Sequence, residues 1–175
     1  TYKFWKKNVF EKPYNVDVFL HSWSYEDKDL LINEYNPKTY IIEKQKSFKS
    51  FVKNETKFIK SYNLRHNEIT YSSMYSLKKS IELMRENEIN NDIKYDFVLV
   101  ARMDILWLVK LDFEKLDNTE FIVPIWGNNN FHSKSCNGVL GTFFLSNSEN
   151  IFNFRKIYDN LPFFLKDNHS LHIIS

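Results

Sequence analysis

The chain has 175 residues, long enough for one domain over 1–175 with a core of its own. Its 24 Lys and Arg against 22 Asp and Glu leave a formal net charge of +2, too small for a large field of one sign, so nucleic acid is not an expected partner. A single cysteine, Cys136, excludes an intramolecular disulfide and a Cys-pair zinc site, and suits a reducing, cytoplasmic compartment.

No apolar stretch approaches the roughly 20 residues of a membrane span. The opening "TYKFWKKNVFEK" has no continuous apolar core of a signal peptide, so a soluble chain is expected. That opening is read as a helix with Phe4, Val9 and Phe10 ready to pack on a sheet. The stretch "VDVFLHSWS" (16–24) is a short β-rich apolar run that turns polar, a buried strand leading into a loop. A turn is expected at Asn36-Pro37, because the residue before proline disfavours helix, and a second strand at Tyr40–Ile42. Two helices follow. One covers 47–62, with Phe48, Phe51, Val52, Phe58 and Ile59 at three-to-four spacing; the other covers 72–88, with Met74, Leu77, Ile81 and Met84 on one stripe and Ser72 or Ser73 as N-cap.

Residues 95–101 of "KYDFVLVARMDILWLVK" form an unbroken apolar strand, with Val98, Leu99 and Val100 expected to be fully buried in a central position. "EFIVPIW" (120–126) is a strand ending at Pro124. "NGVLGTFFLSNSENIFNFRKIYDNL" supplies a strand, a Ser146-x-x-Glu149 capping box and an amphipathic helix. Strands apolar on both faces alternating with helices predict an α/β fold, a mainly parallel Rossmann-like sheet flanked by helices.

In open α/β sheets the ligand crevice lies outside the carboxyl ends of the strands, and Arg102 and Asp104 follow directly on such an end. A carboxylate there can hold a hard divalent cation that completes its shell with waters and substrate phosphate oxygens, and a neighbouring guanidinium can take further phosphate oxygens in bidentate fashion. The alternative is local: Asp104 caps the following turn, and Arg102 pairs with it or with another surface acid.

The order "VDVFLHSWS", "LLINEYNPKTYIIEKQ", "SSMYSLKKSIELMRENE", "YDFVLVARMDILW", "GTFFLSNSEN", over about residues 3–160, resembles a group of bacterial and giant-virus glycosyltransferases of capsular and surface polysaccharide synthesis with a GT-A type fold. The resemblance implies that Arg-x-Asp stands in for the Asp-x-Asp that holds metal and sugar-nucleotide diphosphate. Arg102 and Asp104 would then be catalytic, with Asp104 the ligand of Mn²⁺ or Mg²⁺. It also implies a first strand with a Gly-x-x-Arg turn ahead of "TYKFWKKNVFEK". That strand is absent here, so the domain is expected to be cut short at its N-terminus, and "SLHIIS" is an abrupt end. The group commonly carries an acidic residue where "SCNGVLGTFF" places Asn137, an amide that cannot act as a general base.

Candidate substrate-binding residues complete the reading. His21 and Trp23 follow the strand at 16–20, where imidazole can contact a phosphate or acceptor and indole can stack on a ring; core packing is the rival duty of Trp23. Tyr75 and Lys78 share one flank of the 72–88 helix, and Lys78 can reach a diphosphate or remain solvated. Trp126 and Asn137 belong to the loop "WGNNNFHSKSCNG", whose amides and aromatics suit sugar hydroxyls and ring faces. With three glycines there is no Gly-rich phosphate loop, which excludes a phosphate-loop nucleotidase or kinase, while the lack of a G-x-S-x-G elbow and of a local partner for Cys136 argues against a serine or cysteine hydrolase. The expected function is transfer of a sugar from a nucleotide-sugar donor to a glycan acceptor. The alternatives are a non-catalytic nucleotide- or sugar-binding module with the same kind of sheet, or transfer of another group onto polysaccharide.

Overall fold

The structure is a computed structural model and describes residues 1–11, 13–51, 64–124 and 142–166. It is a mixed α/β fold. The chain opens with a short helix, α1 (Tyr2–Trp5), which widens into a π turn at Lys6–Phe10. Trp5 and Val9 are buried while Phe4 is 41% exposed, which corrects the expected apolar face. With Trp5 and Val9 turned inward four residues apart, Phe4 lies off the buried stripe.

Strand β1 (Phe19–Ser22) pairs in parallel with β2 (Thr39–Ile42), Phe19 opposite Thr39 and Ser22 opposite Ile42. Between them a helix unforeseen in the sequence, α2 (Lys28–Tyr35), ends at Asn36 in the left-handed region at φ 43°. Asparagine tolerates that conformation, and Pro37 cannot continue the helix. The predicted helix over 47–62 is entered at residues 49–51, and the rest of it lies outside the described residues.

Helix α3 (Leu64–Asn91) is the longest element at 28 residues. Its stripe of Met74, Leu77, Ile81 and Met84 is buried as the spacing predicts. Because the helix is already formed at Leu64, Ser72 and Ser73 lie inside it and cap nothing. There the backbone amides are bonded within the helix, and no orphan donor is left for a serine hydroxyl.

Strand β3 (Val98–Ala101) pairs antiparallel with β4 (Phe143–Ser146). The strand expected over 120–126 is reduced to one bridge, in which Ile122 and Leu145 exchange backbone bonds of 2.8 and 3.0 Å; residues 125 and 126 lie outside the described residues. Two helices follow, α4 (Ser148–Phe154) and α5 (Ile157–Lys166). Asn147, not Ser146, caps α4: its side chain accepts the Asn150 amide at 2.8 Å. Ser146 ends β4 and donates its hydroxyl to the Glu120 carbonyl at 2.6 Å, so it is already committed to the strand.

One buried cluster gathers the α3 stripe with Phe144, Ile151 and Leu161, and Phe19, Val98 and Val100 pack on it. A second, around Trp5, Val9 and Tyr35, takes Val18, Leu99 and Ala101. Alternate residues of β1 and β3 thus enter the same two clusters on opposite sides. Tyr95, just before β3, donates its hydroxyl to Asp17 at 2.6 Å and lies 5.7 Å from the Phe19 ring. The residues just ahead of β1 and β3 are therefore in contact.

The two ladders are nonetheless separate sheets, and among the described residues no backbone hydrogen bond joins β1 to β3. The Arg102 amide bonds the Thr142 carbonyl at 3.1 Å, so by strand alternation Leu99 and Ala101 turn their backbone groups away from β4. On β1 the Val18 and Ser22 carbonyls serve the β2 side, so Phe19 and His21 turn theirs the other way. This one-sided pairing leaves Val98, Leu99 and Val100 half-buried rather than fully buried.

Candidate functional site

Beyond Ala101 the chain turns at residues 103–104, where the Ile105 amide bonds the Arg102 carbonyl at 3.4 Å. Met103 and Trp107 pack into the cluster around Trp5, while Arg102 and Asp104 are exposed. The turn thus leaves cation and carboxylate side by side at the surface. Arg102 grips Asp104 in a two-pronged pair, Nε to Oδ1 at 2.9 Å and an Nη to Oδ2 at 2.6 Å. Both side chains are about two-thirds exposed, at 64% and 65%. The guanidinium holds the Asp104 carboxyl below its ordinary range, and Asp104 in turn raises Arg102. Asp104 is thus an anion at neutral pH.

The turn that carries this pair is fastened from the N-terminus. The buried Asn8 side chain donates to the Trp107 carbonyl, and the Asn8 carbonyl accepts the Leu111 amide at 2.9 Å. Trp5 meets Trp107 edge-on at 5.5 Å, and Trp107 lies 5.2 Å from Phe143 of β4.

Asp104 offers a divalent cation no more than one anionic ligand. It is exposed and ionised, and a hard ion can take its other positions from water and substrate phosphate. Among the described residues no group of three His, Cys, Asp or Glu adds to it. Both Asp104 oxygens are engaged by Arg102, so that fit requires the guanidinium to turn away.

The carboxyl ends of β1 and β2 carry a second group of predicted residues. The His21 imidazole is fully buried and reaches Glu43, just past β2, through Nε2 at 3.3 Å. Burial pushes His21 below its ordinary value, with Lys46 and Lys79 adding to this and Glu43 opposing it. The Trp23 ring stands edge-on to His21 at 4.7 Å and stacks on Tyr75 of α3 at 5.4 Å. Lys46 binds Glu43 at 2.8 Å and donates to the Tyr75 hydroxyl at 2.8 Å. His21, Trp23 and Tyr75 are thus brought together. His21 Nδ1 and Trp23 Nε1 are buried without a hydrogen-bond partner among the described residues.

Lys78 does not join them: its ammonium is paired with Asp159 of α5 at 2.7 Å and lies 5.3 Å from the Tyr158 ring centre. Trp126 and Asn137 lie outside the described residues. Glu43 and Lys46 were missed, although the charged run "EKQK" directly follows the Ile42 strand end and could have flagged them. The His21 group lies at the carboxyl end of β1, and the Arg102–Asp104 pair just past the carboxyl end of β3. A groove of about 250 Å³ lined by Tyr2, Phe10, Val16, Glu34 and Tyr35 is built instead on the residues ahead of β1 and the end of α2. Among the described residues no helix is long and apolar enough to cross a membrane. No family model, curated protein or solved structure matches the chain, so the geometry of the site carries the functional reading by itself.

Proposed function

We propose that this chain is a glycosyltransferase domain with a GT-A-like sheet, moving a sugar from a nucleotide-sugar donor to a glycan acceptor in surface polysaccharide synthesis. The observation that carries the reading is the outward-facing Arg102–Asp104 pair on the turn that leaves β3, at the strand edge where α/β sheets bind ligands. Arg102 takes the diphosphate oxygens of the donor and stabilises the charge that develops on the departing nucleoside diphosphate. Asp104, released from Arg102, would be the ligand of Mn²⁺ or Mg²⁺, which would supply Lewis-acid stabilisation of the same leaving group. His21, Trp23 and Tyr75, whose rings meet, are assigned to substrate contacts, as are Trp126 and Asn137, which lie outside the described residues. The full Rossmann-like sheet of this reading places a further strand between the unpaired edges of β1 and β3. A second reading, a non-catalytic nucleotide- or sugar-binding module, draws on the mutual satisfaction of Arg102 and Asp104.

The test is thermal unfolding of the purified chain with a panel of nucleoside diphosphates, with and without Mn²⁺, followed by turnover of the matching nucleotide sugars. A ligand at 100 times its Kd stabilises the folded state by about 2.7 kcal/mol, a readily measured shift. Stabilisation with turnover supports transfer, and stabilisation without turnover supports the binding module. No shift with any nucleoside diphosphate would overturn both.

A further inference from the structure

Independently of the glycosyltransferase reading, we propose that residues 105–110 and the adjoining flank of α1 form a docking surface for an anionic lipid bilayer, on which the chain rests without spanning it. After the turn at 103–104 the chain presents three aliphatic side chains to solvent, with Leu106 53%, Leu108 73% and Val109 77% exposed. Leu108 and Val109 are the two most exposed large apolar residues among the described ones, and their adjacency marks a contact surface rather than scattered exposure. They are also held in place. The Trp107 ring meets Trp5 at 5.5 Å, the Asn8 side chain donates to the Trp107 carbonyl, and the Asn8 carbonyl accepts the Leu111 amide at 2.9 Å. Anchored on either side, Leu108 and Val109 need little further ordering when they dock.

The surroundings of these side chains are basic. On the helix side Phe4, one turn ahead of Asn8, is exposed, as are Lys3 and Lys7, and Lys110 ends the apolar run. Among the described residues no carboxylate lies within ion-pairing distance of Lys3 or Lys7. Residues 1–11 and 105–111 together carry four lysines against Glu11 alone, a net +3, while the whole chain is +2, so the remainder is slightly acidic. Of the four, Lys6 lines the groove on the other flank of the helix. Aliphatic tips framed by ammonium groups match an anionic leaflet, whose acyl chains take the tips and whose headgroup phosphates take the lysines. A second copy of this chain would set like charges face to face. Protein interfaces favour aromatic residues and arginine at their centre and are depleted in lysine, the opposite of this composition.

Co-sedimentation of the purified chain with vesicles tests the assignment, using phosphatidylcholine alone and phosphatidylcholine with about one-third phosphatidylglycerol. The wild type should bind the anionic vesicles and leave the neutral ones largely free. Lys3→Gln combined with Lys7→Gln should weaken anionic-vesicle binding at low salt roughly 25-fold, about fivefold for each lysine. Leu108→Ser combined with Val109→Ser should weaken it roughly tenfold or more, the loss of two inserted aliphatic side chains. Both pairs alter exposed positions, and circular dichroism melts check that the variants are folded. Equal or absent sedimentation with the two kinds of vesicle overturns the proposal. So does full retention of binding by either paired variant; retention by the serine pair alone would mean adsorption by charge only. A concentration-dependent dimer in lipid-free sedimentation velocity, abolished by the serine pair, would give this surface to a second copy and overturn the bilayer.

Discussion

The buried His21 should make the stability of this chain depend on pH, and in a direction set by its surroundings. Its imidazole is shielded from water, with only the Glu43 carboxylate favouring the charged form and Lys46 and Lys79 opposing it, so its folded pKa lies below the unfolded value of 6.5. Below that value the unfolded chain binds a proton that the folded chain resists, and stability falls as pH falls from the unfolded pKa toward the folded one. One proton is worth about 1.4 kcal/mol per pH unit, so between pH 7.5 and 5.5 this group removes at most about 1.4 kcal/mol. His21→Phe keeps a ring among Trp23 and Tyr75 and leaves Glu43 its Lys46 partner, while abolishing the titration. Urea unfolding of both proteins at pH 7.5, 6.5 and 5.5 should show the wild type losing more stability over this range than His21→Phe, by up to that amount. Equal losses in the two proteins would refute the reasoning, and a greater loss in the variant would reverse its sign.

Two further outcomes follow from the fold. Ile81 is 1% exposed at the centre of the larger core cluster. Ile81→Ala should therefore cost roughly 2 to 5 kcal/mol by denaturant unfolding, and a loss below 1 kcal/mol would show that the site collapses around the smaller side chain. In native-state hydrogen exchange of this 175-residue chain, the Leu99 and Ala101 amides, turned to the unpaired edge of β3, should exchange much faster than Val100, which faces β4. Equal protection of all three would mean that the edge is already covered.

What could be read from the sequence was what local spacing encodes. The Met74, Leu77, Ile81 and Met84 stripe appears where a 3.6-residue period puts it. Element α2 escaped because little of it is buried: Leu30 is 56% exposed, and among its residues only Tyr35 is buried, so no apolar stripe announced it. The cap of α4 was misplaced by one residue because a distant partner, the Glu120 carbonyl, claims the Ser146 hydroxyl. The antiparallel pairing of Val98–Ala101 with Phe143–Ser146 spans more than forty residues, and no local pattern encodes a strand's neighbour. Of the site, His21, Trp23 and Tyr75 were singled out as separate residues, and the fold brings their rings together. Its charged support by Glu43 and Lys46 arises only when β1 and β2 align.

The anchoring of the Trp107 carbonyl by Asn8 has a consequence for how the chain becomes organised in time. The contact joins residues 99 apart, and the Trp5–Trp107 meeting beside it is longer still in sequence. Contacts of such separation require loop-closure entropy to be overcome before they give any stabilisation, and they form late. Helix α3 and the β1–β2 pair close over shorter distances and can organise early. The segment bearing Arg102 and Asp104 is then among the last to settle, since it waits for the first ten residues to return to it. On a ribosome Asn8 is made 99 residues ahead of Trp107 and must remain undocked from it until then.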